Sequence, residues 1–178
     1  VWIMATPEFI VETRKKIGHD PMWIPAVSAV VLRDSTDDSP WAVPEVLLVK
    51  RADNGAWTPV TGICDPGVEA HDAARREVLE ETGLHVTPAA LLGVGTVGPV
   101  VHVNGDHASY MSIAVRLEAD DPTLDPVVGD EENVEVGWYS IAHMPVKDPK
   151  WRLIIADAAA QRKHPQQFTP RLGFTKRN

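Results

Sequence analysis

The chain has 178 residues and a formal charge of −8, with 25 acidic against 17 basic side chains, 44% apolar residues and 24% charged ones. That length supports one well-buried domain with terminal extensions rather than two domains, and the acidic balance excludes a broad nucleic-acid-binding face while leaving room for a small anionic ligand bridged by a cation. No apolar run approaches the roughly 20 residues a membrane span needs, "VWIMATPEFIVETRKK" lacks the order of a secretory signal, and the single cysteine, Cys64, cannot form an internal disulfide, so a cytoplasmic protein without a membrane partner is expected.

Met4 is read as the natural start, with "VWI" as an upstream remnant. In "TPEFIVETRKKIGHD", Thr6 is a candidate N-cap, Pro7 suits the first helical position, and Phe9, Ile10 and Ile17 recur at helical spacing. "PMWIP" (21–25) then breaks any helix, because proline and the residue before it resist helical geometry. Two β-rich runs follow, "AVSAVVLR" (26–33) and "EVLLVKR" (45–51), separated by a polar loop. Asn54-Gly55 marks a tight turn, and Pro66-Gly67 with Gly83 brackets a helix from about Glu69 to Thr82.

Beyond that helix "HVTPAALLGVGTVGPVVHV" reads as extended chain with glycine breaks, and Asn104-Gly105 predicts a two-residue hairpin turn. "VEVGWYSI" is the last strand, and Asp148-Pro149 caps a helix over "KWRLIIADAAAQRK". The tail from His164 shows no pattern and is expected to be loosely ordered. The fold class is α+β, a mixed sheet sandwiched by helices. The organisation is a helical extension over 1–25, a domain over 26–163 and a tail over 164–178.

"GICDPGVEAHDAARREVLEETGL", residues 62–84, crowds three glutamates into five positions. With each helical residue advancing about 100°, Glu77 and Glu81 fall within about 20° either side of Ala70, inside the alanine stripe, while Glu80 lies at its edge. A solvated acidic face would place acids opposite the small residues. Like charges at this spacing repel by about 0.2–0.5 kcal/mol in water, and burial raises the cost. A hard divalent cation with oxygen ligands, Mg²⁺ or Mn²⁺, offsets it and can also hold substrate phosphates.

"REVLEETGL" (76–84) fits the second half of the Nudix box, a match expected about once in 10⁶ to 10⁷ random starts, and Gly62 stands at the box's first glycine. The chain resembles a Nudix hydrolase, and the leader is similar to that of one group of bacterial Nudix proteins. The resemblance implies an α/β/α sandwich. It also implies hydrolysis of a nucleoside diphosphate linked to another moiety: a nucleotide sugar, an ADP-ribose-like compound or a nucleoside triphosphate. By position, Glu77, Glu80, Glu81 and the Gly62 carbonyl would bind metal, Arg76 would orient the acids, and Gly83 would end the helix. Likeness to the family also implies a homodimer acting on a small nucleotide rather than a nucleic-acid polymer. Val68 departs from the pattern, which places a supporting glutamate there.

Asp130, Glu131 and Glu132, before the last strand, are candidate bases, as is Glu81 itself. Arg51, Trp57, Tyr110 and Trp23 are candidates to pair with or stack on a nucleotide. Pro99 stands close to where ADP-ribose-hydrolysing relatives carry a proline. Two other readings follow from Val68 and from the acidic helix: a non-catalytic nucleotide-binding domain, and a structural domain with a partner-binding helix.

Overall fold

The computed structural model describes residues 6–175, so Met4 lies outside the described residues. Its helices are α1 (Glu8–Ile17), α2 (Ala70–Thr82) and α3 (Pro149–Lys163). Its strands are β1 (Met22–Arg33), β2 (Glu45–Arg51), β3 (Trp57–Thr58), β4 (Val60–Ile63), β5 (Val86–Val101), β6 (His107–Ala119), β7 (Asn133–Ser140) and β8 (Arg171–Leu172). They form one mixed sheet in the order β3-β2-β1-β6-β5-β8, with β4 paired to β1 and β7 to β2. β1 and β6 run parallel and β5 and β6 antiparallel. Among the described residues no helix is long and apolar enough to cross a membrane.

β1 is apolar almost throughout because both its faces are covered. Val27, Ala29 and Val31 pack with Ala73, Ala74 and Val78 of α2. Val30 and Leu32 pack on the other side with Trp151, Ile154, Ile155 and Ala158 of α3. Full burial of side chains such as Ile154 and Ile155 stabilises the fold by roughly 1.5–3 kcal/mol each, and this alternation holds the α/β/α sandwich together. The Ser28 and Ser112 hydroxyls, buried in adjacent strands, satisfy each other at 2.9 Å. α3 starts as its sequence predicts, with the Asp148 carboxylate accepting from the Lys150 amide at 2.8 Å.

Three local expectations need correction. α1 begins one residue late, with Pro7 rather than Thr6 at the N-cap. β1 begins at Met22, four residues before the expected strand. Pro25 breaks a helix but not this strand, because its carbonyl is the bonded group, accepting from the Cys64 amide at 3.0 Å. The hairpin at Asn104-Gly105 is a longer loop in which only Gly105 takes positive φ, at 90°. His102 donates to Asp106 O and Gly105 to His102 O, both at 2.8 Å, the pattern of a turn followed by a bulge.

The tail is ordered where loose chain was expected. β8 pairs in parallel with β5 at Gly93 and Val94, Arg171 grips Asp157 through two hydrogen bonds of 2.6 and 2.9 Å, and Phe174 is buried in the α3-side core. A Cβ on Gly93 would lie 2.6 Å from the Arg171 carbonyl oxygen, and one on Gly95 2.6 Å from the Phe174 ring. The glycines that read as breaks in β5 are the seat of this segment.

Candidate active site

The glutamate helix is aimed by the turn before it. Val68 N–H bonds Asp65 O at 3.1 Å across Pro66 and Gly67, whose φ of 81° only glycine adopts easily. α2 then buries Ala73, Ala74, Val78, Glu81 and Thr82, and Gly83 ends it in the left-handed region. Glu77 and Glu81 therefore lie on the packed side, as the helical spacing predicts, and Glu80 faces solvent. Glu77 lies directly over β4: a Cβ on Gly62 would fall 2.3 Å from its carboxyl carbon. Only glycine permits that approach.

The other acids arrive from the far side of the sequence. The last carbonyls of a helix have no partner within it, and here the loop before β7 satisfies them: Val127 N–H bonds Thr82 O at 2.9 Å and Gly129 N–H bonds Glu81 O at 3.0 Å. A Cβ on Gly129 would lie 2.0 Å from Glu80 O, so glycine lets the loop lie flat on α2. This docking delivers Asp130 and Glu132 to Glu81, and oxygens of the three carboxyls all lie within 4.8 Å of one another.

Glu81 is 3% exposed. Its Oε1 accepts from Asn133 Nδ2 at 2.8 Å, while its buried Oε2 has no hydrogen-bond partner. Burial first, then the neighbouring Glu132, Glu77 and Asp130, push its pKa well above the carboxylate range, against the opposing Asn133 bond. Glu132 is raised too, by burial and then by Asp130. Burial raises Glu77 to about 7, opposed by its hydrogen bond with Arg76 and reinforced by Glu80. An orphaned buried oxygen amid three converging carboxyls costs free energy unless a charge compensates it. An all-oxygen set of this kind suits a hard divalent cation.

Arg76 ties the site to the turn. It hydrogen-bonds the Asp65 carboxylate, donates to Ile63 O and to Glu77 Oε1, both at 3.2 Å, and lies 3.8 Å from Glu80. Position 68 carries a partly exposed valine, but Asp65, three residues earlier, supplies a carboxylate to the arginine.

One cavity of about 1090 Å³ collects much of the predicted set: Gly62, Glu77 and Glu132 line it together with Arg51, Trp57 and Tyr110. Arg51 is held by Asp53 at 3.0 and 2.7 Å, and Trp57 stacks edge-on against Tyr139 at 5.0 Å. Glu80 and Glu131 are exposed and outside the carboxyl cluster. Trp23 is 58% exposed, and neither it nor Pro99 lines the cavity. Sequence reasoning missed Asp65, Asn133 and the cavity wall formed by Lys147, Lys150 and Trp151. The helix signal at Asp148-Pro149 was plain, but nothing local indicated that this helix start faces the glutamates.

A family model described as NUDIX domain matches residues 22–160. A 50-residue segment, 28% of the chain, is 48% identical to a Bacillus subtilis protein provisionally named an 8-oxo-dGTP diphosphatase, covering 34% of it. A 58-residue segment, 31% of the chain, is 45% identical to human 8-oxo-dGDP phosphatase NUDT18, covering 18% of it. The chain thus spans about a third or less of these relatives' lengths. Among solved structures, a NUDIX hydrolase from Nitrosomonas europaea superposes with a TM-score of 0.58 at 21% identity, over 86% of this chain and 79% of that one, a likeness of fold.

Proposed function

This chain belongs to the NUDIX family, and we propose on that premise that it hydrolyses a phosphoanhydride bond in a nucleoside di- or triphosphate or a related nucleotide derivative, with Mg²⁺ or Mn²⁺ as cofactor. The observation that carries the reading is the unpartnered Glu81 Oε2, buried among the Glu132 and Asp130 carboxyls. The names of the two curated relatives, one of them provisional, refer to nucleoside phosphates and support the substrate class.

Glu81, Asp130 and Glu132 would hold the cation, with Glu77 and the exposed Glu80 beside them. A divalent ion in such a site supplies charge neutralisation for phosphate oxygens and lowers the pKa of water. The chain's own residues do the remainder. Asn133 fixes one Glu81 oxygen and leaves the other directed into the cluster. Arg76 holds Glu77 in place from the turn side. Glu132, lining the cavity, is positioned to take a proton from a water. The water oxygen bonds to phosphorus, the bridging P–O bond breaks, and the released phosphate group carries away the bridging oxygen. Arg51, a permanent cation that burial disfavours and Asp53, Glu132 and Glu81 favour, offers a donor for a phosphate.

The non-catalytic reading rests on Val68, and the Asp65 carboxylate on Arg76 weighs against it. The test is a screen of nucleoside triphosphates including 8-oxo-dGTP, nucleotide sugars, ADP-ribose and dinucleoside polyphosphates, with Mg²⁺ and Mn²⁺, reading phosphate or nucleotide release. Turnover is expected for at least one. Glu81→Gln and Glu132→Gln should each lower it by about 10²–10⁴-fold, and Glu131→Gln should leave it unchanged. Wild-type protein that releases nothing under either metal overturns the proposal.

A further inference from the structure

The family match begins at Met22, yet the start of the leader, just before α1, reaches the cavity. Thr6 and Pro7 line that cavity together with Val100, His102, Val103 and Tyr110 of the β5–β6 hairpin. The helix is seated by Ile10, buried with Ile24 and Ala108, with Phe9, Val100 and Tyr110 packed around them. The leader and the hairpin therefore share one small core, and its outer edge faces the space in front of Glu77 and Glu132.

The far end of α1 is fixed to the hairpin tip by a polar clasp. Arg14 Nη2 donates to His107 O at 2.8 Å, and Arg14 Nε lies 3.6 Å from Asp106 Oδ2. His19 Nδ1 lies 2.8 Å from Asp106 Oδ1, and His107 N–H bonds His19 O at 3.2 Å. Asp106 is common to both side-chain arms. On the cavity side the Tyr110 hydroxyl and His102 Nε2 bond each other at 2.7 Å, which fixes the ring.

The wall's chemistry differs from that of the charged side of the cavity. Glu77, Glu132, Arg51, Asp53, Lys147, Asp148 and Lys150 carry the charge, whereas the leader and hairpin side, with Pro7, Val100, His102, Val103 and Tyr110, presents no carboxylate or ammonium group. Phosphates belong with the first set. A flat heterocycle with an apolar face and a polar edge suits the second, since bases stack on aromatic and apolar side chains.

We propose that α1 and the β5–β6 tip form the base-side wall of the nucleotide site, and that Asp106 is the positioning residue that holds this wall in place. The inference rests on the nucleotide hydrolysis proposed above and deepens it: recognition of the base is assigned to the β5–β6 tip together with a leader that precedes the matched residues 22–160.

The experiment compares the full-length chain with its Asp106→Ala variant, using the nucleotide the screen finds hydrolysed fastest and inorganic triphosphate as a competitive inhibitor lacking a base. KM for the nucleotide should rise about tenfold, a change of about 1.4 kcal/mol, with kcat and the inhibition constant of triphosphate unchanged. His19→Ala, which removes one exposed arm of the clasp, should act in the same direction and guards against failure of the first variant to fold. Unchanged KM in both variants overturns the wall while leaving hydrolysis standing, and so does an equal loss of affinity for triphosphate. If wild type hydrolyses nothing, calorimetry with dGTP and Mg²⁺ makes the same comparison. Binding weakened by Asp106→Ala then supports the wall while the hydrolysis proposal falls, and no binding, or binding equal in the two proteins, overturns the wall.

Discussion

Raising the pH from 5 to 8 in the absence of divalent cations is expected to destabilise the protein. An unfolded Glu77 titrates near 4.5, whereas burial holds the folded one near 7. Between these values the unfolded chain has released a proton that the native state keeps, so unfolding is favoured as pH rises. At about 1.4 kcal/mol per pH unit, Glu77 alone removes ~3 kcal/mol across that window, a large share of a typical 5–15 kcal/mol. Its side chain is 13% exposed, so solvent screens little of this. Glu81, raised further by burial and its acidic neighbours, extends the loss into alkaline solution. Urea denaturation in EDTA at pH 5, 6, 7 and 8 measures the slope. Glu77→Gln should flatten it between pH 5 and 7, and Mg²⁺ at pH 8 should restore stability by favouring the charged carboxyls. Metal-free stability that is level or rising over this range, with Glu77→Gln indistinguishable from wild type, would refute the reasoning.

Two substitutions probe the turn and strand that hold the glutamates. Asp65→Ala removes the carboxylate from Arg76; with both side chains about a third exposed, the charged hydrogen bond contributes about 1 kcal/mol, so kcat/KM should fall about fivefold. Val68→Glu should change little in the wild-type chain but recover activity in the Asp65→Ala background, which steady-state kinetics on the four proteins checks as a cycle. Gly62→Ala places a methyl 2.3 Å from the Glu77 carboxyl carbon; displacing that group by about 1 Å should lower turnover about 10²-fold, and overpacking should lower stability by about 1–3 kcal/mol, read by urea denaturation.

What was legible in the sequence is what a local period or cap writes there. β2 falls on the expected residues 45–51, α2 within one residue of its expected start, and α3 on its Asp148-Pro149 cap, because each is set by neighbours a few positions away. The burial of Glu77 and Glu81 was equally readable, since both lie in the alanine stripe. The ordered tail was not: its binding site is two absent side chains, at Gly93 and Gly95, and an absence in one strand does not name the segment that fills it. Asp65 was hidden for a related reason. A pattern that asks for glutamate at position 68 draws attention to Val68, while the physical need is only a carboxylate within reach of Arg76, which the turn meets from residue 65.

The acidic cluster shows the same limit at the site itself. Spacing along α2 sets Glu80 at the edge of the packed face, but it carries nothing about a loop acid 51 positions past Glu81 that packs against it. What places Glu132 is the hydrogen bonding of Val127 and Gly129 to the free carbonyls at the end of α2. A helix that ends at Gly83 with buried, unsatisfied carbonyls requires a partner chain segment, and Gly129 is the residue that lets the loop come close enough. The loop that caps the helix thus also brings two of the three clustered carboxyls, so helix termination and assembly of the acidic site are one structural event.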